Sequence, residues 1–369
     1  MNNIFYKKAR EIYYRLIPKW YPDIISYDEA FEGVAKIGEV SSYDVPIENQ
    51  GIAFKKDAAH LDRDTYTTPE DFSAVIKGVH VSGRYEVVMP DGDKVLAESS
   101  NAAKNDYFPH AYGIRENIRT IRQPVTLLRS RFHNYYHLLI DVLPRLIAIR
   151  DLLPVIRQPV SLLVTGGINS IERAYLEMLN LESLPIIEMS DDTTYLCEEY
   201  VFTTLKTRPQ SGYIPEPYLS MIREATVSRV PVLSEKRRNI FVSRQNADVR
   251  RVENFAEVQE RLRQYGYEVV SFEDMSIDDQ ICTVNRARSL VGVHGAGLSN
   301  MIFGPEGLKV VEVSPAGFLA PHYYLLCKSL GYEYNFMYGS ETSLRCDTFT
   351  VDICKLEEQL AWASGRTND

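Results

Sequence analysis

Apolar and polar positions along this chain fall into two periods. Between 74 and 98 (AVIKGVHVSGRYEVVMPDGDKVLAE) they alternate in steps of two, which predicts β-structure with a tight Pro90-Asp91-Gly92-Asp93 turn. From 124 onward, short apolar runs take turns with helical ones. PVTLLRS reads as a strand and 133–153 (HNYYHLLIDVLPRLIAIRDLL) as a helix interrupted at Pro144. VSLLVTGG is a strand, 170–181 a helix, PIIEM and YLCEEYVFTT are strands, and 216–229 is a helix. A charged, proline-marked stretch at 231–238 predicts a linker.

Beyond the linker the alternation is cleaner. NIFVSR (239–244) is a strand. Residues 254–266 form an amphipathic helix with Asn254 as N-cap and Gly266 as stop. Then come the strand YEVVSFE, a helix capped by Ser276, the strands SLVGVHGAG and LKVVEV, the helix HYYLLCKSLG closed by Gly331, and the strand YEYNFMYG. Strands alternating with helices define an α/β protein, the second half reading as a doubly wound nucleotide-binding unit. The predicted domains are 1–230 and 231–345. Residues 346–369 hold a last helix, about 353–364, expected to pack back on the first domain. No internal repeat or low-complexity segment is present.

The segment Ser289 to Asn300, SLVGVHGAGLSN, carries the most chemistry. A buried strand breaks into Gly292, His294, Gly295, Ala296 and Gly297. Leu298 and Ser299-Asn300 then read as a helix start, with Met301, Ile302 and Phe303 as its apolar face. Glycine lets a backbone approach closely, and the first helical N–H groups have no helical partner, so this is a place for an anion. The glycine spacing is neither the dinucleotide fingerprint nor a P-loop. A titratable His294 between glycines has no packing reason. Glu312 closes the next strand. Together they predict diphosphate on the turn and ribose on the carboxylate. Arg244 and Arg250 follow the first strand of this unit, where a guanidinium can hold phosphate bidentately; Arg251 reads as surface charge.

A second cluster lies on the 133–153 helix. His133, His137 and Asp141 are spaced i, i+4, i+8 along one face, with Leu138, Leu139, Val142 and Leu143 beside them. Such a row suits metal binding or acid–base work, and a third strong metal ligand is not evident. Asp91-Gly92-Asp93 mimics a metal motif, but Asp-Gly is first a turn signal. No metal is expected.

Composition narrows the partners. The chain has 369 residues, 45% hydrophobic and 25% charged, with net charge -9. That argues against a broad nucleic-acid surface. Five scattered cysteines without a C-x-x-C pair predict buried thiols in a reducing compartment. Residues 1–21 interleave Lys7, Lys8, Arg10, Arg15 and Lys19 with six aromatics, which suits peripheral contact with an anionic membrane. Neither a signal peptide nor a membrane-spanning run is read, so the expected location is cytoplasmic, at the inner face of the membrane.

HNYYHLLIDVLPRL, FVSRQNADVRRVEN and VGVHGAGLSNMIF with VVEVSP occur in an order that resembles glycosyltransferase family 61, over about 124–315. The resemblance implies a GT-B architecture: two Rossmann-like domains facing across a cleft. It also implies an inverting transfer without an essential metal or other cofactor. In that light His294, Gly295, Ala296, Gly297, Leu298, Ser299 and Asn300 would cradle the donor diphosphate. Arg244 and Arg250 would neutralise it and Glu312 would hold the ribose. The domain 1–230 would present the acceptor, with His133, Asn134 and Arg145 on that side. Asp141 is the expected base, with His137 as rival.

The resemblance favours a nucleotide-sugar donor, a uridine diphosphate sugar first. The acceptor would be a saccharide or lipid-linked saccharide of a bacterial surface or capsular polysaccharide. The rival readings are a phosphotransferase using the same anion turn and a non-catalytic scaffold subunit. Oligomeric state, including a homo-oligomer, stays open.

Overall fold

The computed structural model describes residues 23–47, 65–91, 94–99, 117–129, 133–207, 212–227, 237–316, 320–340 and 348–366. The basic-aromatic segment 1–21 and residues 231–236 of the expected linker lie outside them. Two sheets dominate, and the chain is α/β as expected.

The first sheet has eight strands: β1 (Ile37–Val40), β2 (Asp71–Ser82), β3 (Val88–Met89), β4 (Ile118–Ile121), β5 (Val125–Leu127), β6 (Ser161–Thr165), β7 (Ile186–Met189) and β8 (Thr194–Thr203). Its order is β7-β6-β5-β8-β2-β1, with β3 on β2 and β4 on β8. The strands from β5 to β7 are parallel and joined by helices, as the alternation predicts. The long β2, however, runs antiparallel to β8, from Ser82 opposite Thr194 to Ser73 opposite Thr203. β1 and β3 are antiparallel to β2. The parallel run expected of a Rossmann-like first unit is therefore confined to the β7-β6-β5 side, and the sheet as a whole is mixed. The strand after Asp91, Lys94–Leu96, pairs with Asp23–Ile25 instead of closing a hairpin on β3. Asp91 accepts from the Lys94 N–H at 3.2 Å, so it serves its turn; Gly92 and Asp93 lie outside the described residues.

The second sheet is wholly parallel: β9 (Arg238–Val242), β10 (Tyr267–Val270), β11 (Ala287–Val293), β12 (Lys309–Ser314) and β13 (Glu333–Tyr338), in the order β10-β9-β11-β12-β13. Its strands read as near-continuous apolar runs because both faces are covered. Phe241, Val291, Val293, Val311, Val313 and Met337 face one side. There they meet the helix Phe255–Gln264 and Leu356, Leu360 and Ala363 of the last helix, Ile353–Ser364. That helix thus packs on the second sheet. The expected return to the first domain is corrected, because its apolar stripe is used up on β11, β12 and β13. Asn254 stands at the N-terminus of Phe255–Gln264, but its side chain makes no cap bond. It clamps the Val351 backbone at 2.9 Å in both directions and so ties the last helix down. Ser276 caps as expected.

Ile240, Val242, Leu290 and Val310 point to the other side, into a core shared with the first half. Leu139, Ile140, Leu143 and Leu146 enter this core from the 133–153 region, and Leu219 and Ile222 from the helix Glu216–Val227. Side chains alternate along a strand. The same parity that buries Val310 therefore turns Gly292, His294 and Glu312 toward the first half.

The helix expected over 133–153 survives Pro144 by widening. Tyr135–His137 opens it, Leu138–Val142 is a π-helical turn, and Leu143–Leu152 continues with Pro144 in its first turn. Proline has no N–H to give, and a wide turn removes the need for one. Of the described cysteines, Cys197 and Cys327 are buried, Cys282 is half-buried and Cys354 is exposed, so the buried-thiol expectation fails at Cys354.

Candidate active site between the two sheets

In the second sheet the chain runs one way from β9 to β10 and the other way to β11. Ligands of open parallel sheets sit at such a reversal, outside the carboxyl ends of the strands. Here those ends are Ser243-Arg244 and His294-Gly295. The Gly295 backbone is extended and leads into a 3-10 helix, Ala296–Phe303, two residues earlier than the sequence suggests. Gly295 is needed for closeness: a Cβ there would lie 2.0 Å from Arg244 Nη1 and 2.7 Å from its Cζ. Arg244 therefore lies flat across the turn. Its Nη2 reaches the Val249 carbonyl at 3.5 Å. Its buried Nε has no hydrogen-bond partner among the described residues. Burial pushes the Arg244 pKa down, opposed by Tyr323 and Glu273. A desolvated guanidinium with an orphaned donor is a place for an anion.

Arg250 stands beside it, held at φ 59, a left-handed conformation that costs a non-glycine residue about 1 kcal/mol or more. Both guanidiniums act on Tyr323 of the helix His322–Leu330, lowering a pKa that burial raises. The Tyr323 hydroxyl donates to the Gly295 carbonyl at 2.5 Å. Arg244, Arg250, His294, Gly295 and the half-buried Ala296 and Gly297 thus form one surface. Arg251 is exposed on a two-residue strand.

Three residues expected on the donor side face inward instead. Leu298 is packed in the core. Ser299 is buried and donates to the Ala296 carbonyl at 2.5 Å. Asn300 is buried, accepts from the Tyr135 hydroxyl of the first half and donates to Gln280 at 2.9 Å. It stitches the halves together. Asn300→Ala is expected to lower the unfolding free energy by about 1–3 kcal/mol, because Gln280 and Tyr135 lose a buried partner; denaturant titration reads this, with nucleotide affinity unchanged.

Glu312 is also corrected. It is fully buried, one carboxylate oxygen on His294 Nδ1 and the other accepting from the Tyr334 hydroxyl at 2.7 Å. Both oxygens are taken up by protein partners and not offered to a ribose. The carboxylate lies behind His294, fixing that ring.

The opposite wall is the start of the 133–153 helix. Asn134 is its N-cap, accepting from the His137 N–H at 3.1 Å, so its side chain serves the helix rather than an acceptor. His137 Nδ1 meets Asp141, which also accepts from the Thr207 hydroxyl. The Asp141 side chain is 0% exposed and that of His137 is 18% exposed. Asp141, the expected base, is thus shut behind the histidine. Arg145 is buried too and donates to the carbonyls of Leu127, Leu128 and Arg129. It holds the end of β5 and is not an acceptor contact. His133 meets the buried Glu86 on the same wall.

The two walls touch through aromatic rings. His137 packs edge-on against Tyr136, with centroids 5.3 Å apart. Tyr136 meets Tyr323 at 5.7 Å and Tyr323 meets His294 at 5.2 Å. Sequence reading missed Tyr136, Tyr323, Thr207 and Glu86. Tyr136 and Tyr323 stood in the quoted strings HNYYHLL and HYYLLCKSLG, but no local signal separates a site tyrosine from a packing one.

Residues 135–311 match the family model described as Glycosyltransferase 61. Over this segment the chain is similar to that glycosyltransferase family. It contains His137, Asp141, Arg244, Arg250 and the glycine turn, and it ends one residue before Glu312. Among curated relatives, a beta-1,2-xylosyltransferase of Arabidopsis thaliana is 33% identical over 64 residues, 17% of this chain and 12% of that protein. The alpha-1,3-arabinosyltransferase XAT2 of Oryza sativa subsp. japonica is 25% identical over 157 residues, 37% of this chain and 26% of that protein. The chain thus aligns with only about a quarter or less of either plant relative's length.

Proposed function

We propose that the protein is an inverting glycosyltransferase of GT-B type. It moves a sugar from a nucleoside diphosphate sugar, a uridine diphosphate sugar first, to a saccharide or lipid-linked saccharide acceptor. The observation that carries this reading is the pairing across the cleft: two guanidiniums over a glycine turn on one wall, a carboxylate-backed histidine on the other. The two relatives are named for pentosyl transfer, which makes xylose and arabinose the first sugars to try.

In this reading Arg244 and Arg250 bind the diphosphate and the glycine turn lets it come close. His137 takes the proton of the acceptor hydroxyl. The acceptor oxygen bonds to the anomeric carbon as the bond from that carbon to the diphosphate oxygen breaks, and the configuration inverts. Asp141 holds His137 in one tautomer and steadies the imidazolium, as a buried carboxylate does in hydrolase triads. The two guanidiniums and His294 take up charge on the departing diphosphate, the role that preorganised donors play in other transfers. No resident metal or other cofactor enters these steps. Surface polysaccharide assembly at the cytoplasmic face of a membrane, with residues 1–21 as the contact, completes the proposal. Among the described residues no helix is long and apolar enough to cross a membrane.

The test is calorimetry with a panel of nucleotide sugars, followed by nucleotide release in the presence of acceptor glycosides. Saturable binding of one diphosphate donor, with inverted product, is the expected result. Binding without turnover on any acceptor would favour the scaffold reading. Transfer of a phosphoryl group to the acceptor would favour the phosphotransferase.

A further inference from the structure

Glu86 is an unusual residue to find where it is. It lies in the turn between β2 and β3, at φ 50, and its side chain is 1% exposed. A left-handed glutamate costs roughly 1–3 kcal/mol, and a buried carboxylate costs more unless it is paired. Its Oε1 accepts from the Thr165 N–H at 3.2 Å and lies 3.9 Å from Arg129 Nη1. Its Oε2 meets His133 Nε2. The His133 side chain is 47% exposed. A histidine that merely solvates a surface needs no strained, buried holder.

His133 lines a recess of about 80 Å³ with Leu138, Val142 and Ile171, and with the polar Asn134, Asn169 and Glu172. Arg129 also lines it. That guanidinium is already matched: it forks onto Glu172 and donates to the carbonyls of Thr165 and Gly167 at 2.6 and 2.5 Å. The recess therefore offers apolar surface, two amides engaged as helix caps and an ion pair without net charge. It is far smaller than the roughly 300–1,000 Å³ of a pocket that encloses a whole ligand, so it admits a substituent and not a sugar ring. His137 lies four residues further along. Glu86, Arg129 and His133 all fall outside the family 61 segment.

We propose that His133 binds the acceptor sugar, that Glu86 is its positioning residue, and that the recess takes one uncharged substituent of that sugar beside the reacting hydroxyl. This rests on the glycosyltransferase reading. It assigns acceptor choice to Glu86 and His133, which precede the matched segment, together with recess residues inside it.

The test uses full-length protein labelled with 13C and 15N at histidine, with the His133 ring signals assigned by their loss in His133→Gln. The probes are the methyl β-glycosides of xylose, galactose and N-acetylglucosamine, and of glucuronic acid as the charged control. At least one neutral glycoside should shift the His133 signals saturably, and the glucuronide should not. Its affinity should fall roughly tenfold or more in His133→Ala and in Glu86→Gln. Nucleotide-sugar binding should stay unchanged in both variants, which a general structural defect would not allow. The proposal is overturned if no neutral glycoside moves the signals, if His133→Ala binds glycoside as the wild type does, or if the glucuronide binds equally well. Failure of the wild type to bind any nucleotide sugar would instead sink the glycosyltransferase reading.

Discussion

His137→Ala is expected to lower turnover by roughly 10²–10⁴-fold, the range of a lost general base, with nucleotide-sugar affinity unchanged. The reason is geometric. A base must reach the proton it removes, and on this wall the histidine is the member of the pair that meets solvent, while Asp141 is fully enclosed. Asp141→Asn tests the division of labour. If Asp141 acts through His137, the amide leaves the fold in place, loosens the ring and presents it in the wrong tautomer, so turnover falls and donor affinity holds. Adding Asp141→Asn to His137→Ala should then cost little more, because residues that work as one unit are not additive. Full activity in His137→Ala with none in Asp141→Asn would reverse the roles and make the carboxylate the base. Single-turnover rates with saturating donor separate these outcomes from changes in binding.

The His137–Asp141 pair shows how far the sequence carries. Its i, i+4 spacing marked two groups that would meet. It did not say which of the two faces the cleft, because depth is set by what packs against the helix: Thr207, in the turn beyond β8, closes over Asp141. Arg145 had a warning in the string LPRLIAI, a lone cation among apolar residues on both sides. Such an arginine is more readily buried against carbonyls than offered to a ligand. Glu312 was placed on the right strand and the right face, but strand parity cannot distinguish a carboxylate at the surface of a site from one beneath it. The Tyr334 hydroxyl, from the neighbouring β13, decides that.

Fold legibility follows the same division. The parallel second sheet was readable because each strand is buried on both faces and each helix has its own stop. The first sheet was read as Rossmann-like because β5, β6 and β7 do alternate with helices. The long β2 carries alternating residues that fit either direction of pairing, and its antiparallel partner β8 lies more than 100 residues on. Nothing local records that pairing. The inward turn of Leu298, Ser299 and Asn300 has a similar origin. The 3-10 helix starts at Ala296, so the residues expected to open it lie inside it and face the core.

Gly295→Ala is expected to abolish most donor binding without unfolding the protein. The Gly295 backbone is extended, a conformation that alanine adopts without strain. The added methyl would collide with the end of the Arg244 side chain, which can swing away at little cost to stability, and not with backbone. What is lost is the guanidinium's place over the turn. A charge-assisted hydrogen bond contributes about 1.5–3 kcal/mol, so donor affinity should fall roughly 10- to 150-fold, as it should in Arg244→Ala. The decisive comparison is the double variant. If Gly295 matters only because it leaves room for Arg244, then Gly295→Ala should cost nothing once Arg244 is already alanine. Calorimetric affinities for the four proteins of this cycle would show it. Equal losses in both backgrounds would mean that the methyl obstructs the diphosphate itself and that the turn, not the guanidinium, is the principal anion contact. Full donor affinity in Arg244→Ala would remove the anion site from this corner of the sheet and, with it, the observation on which the transferase mechanism stands.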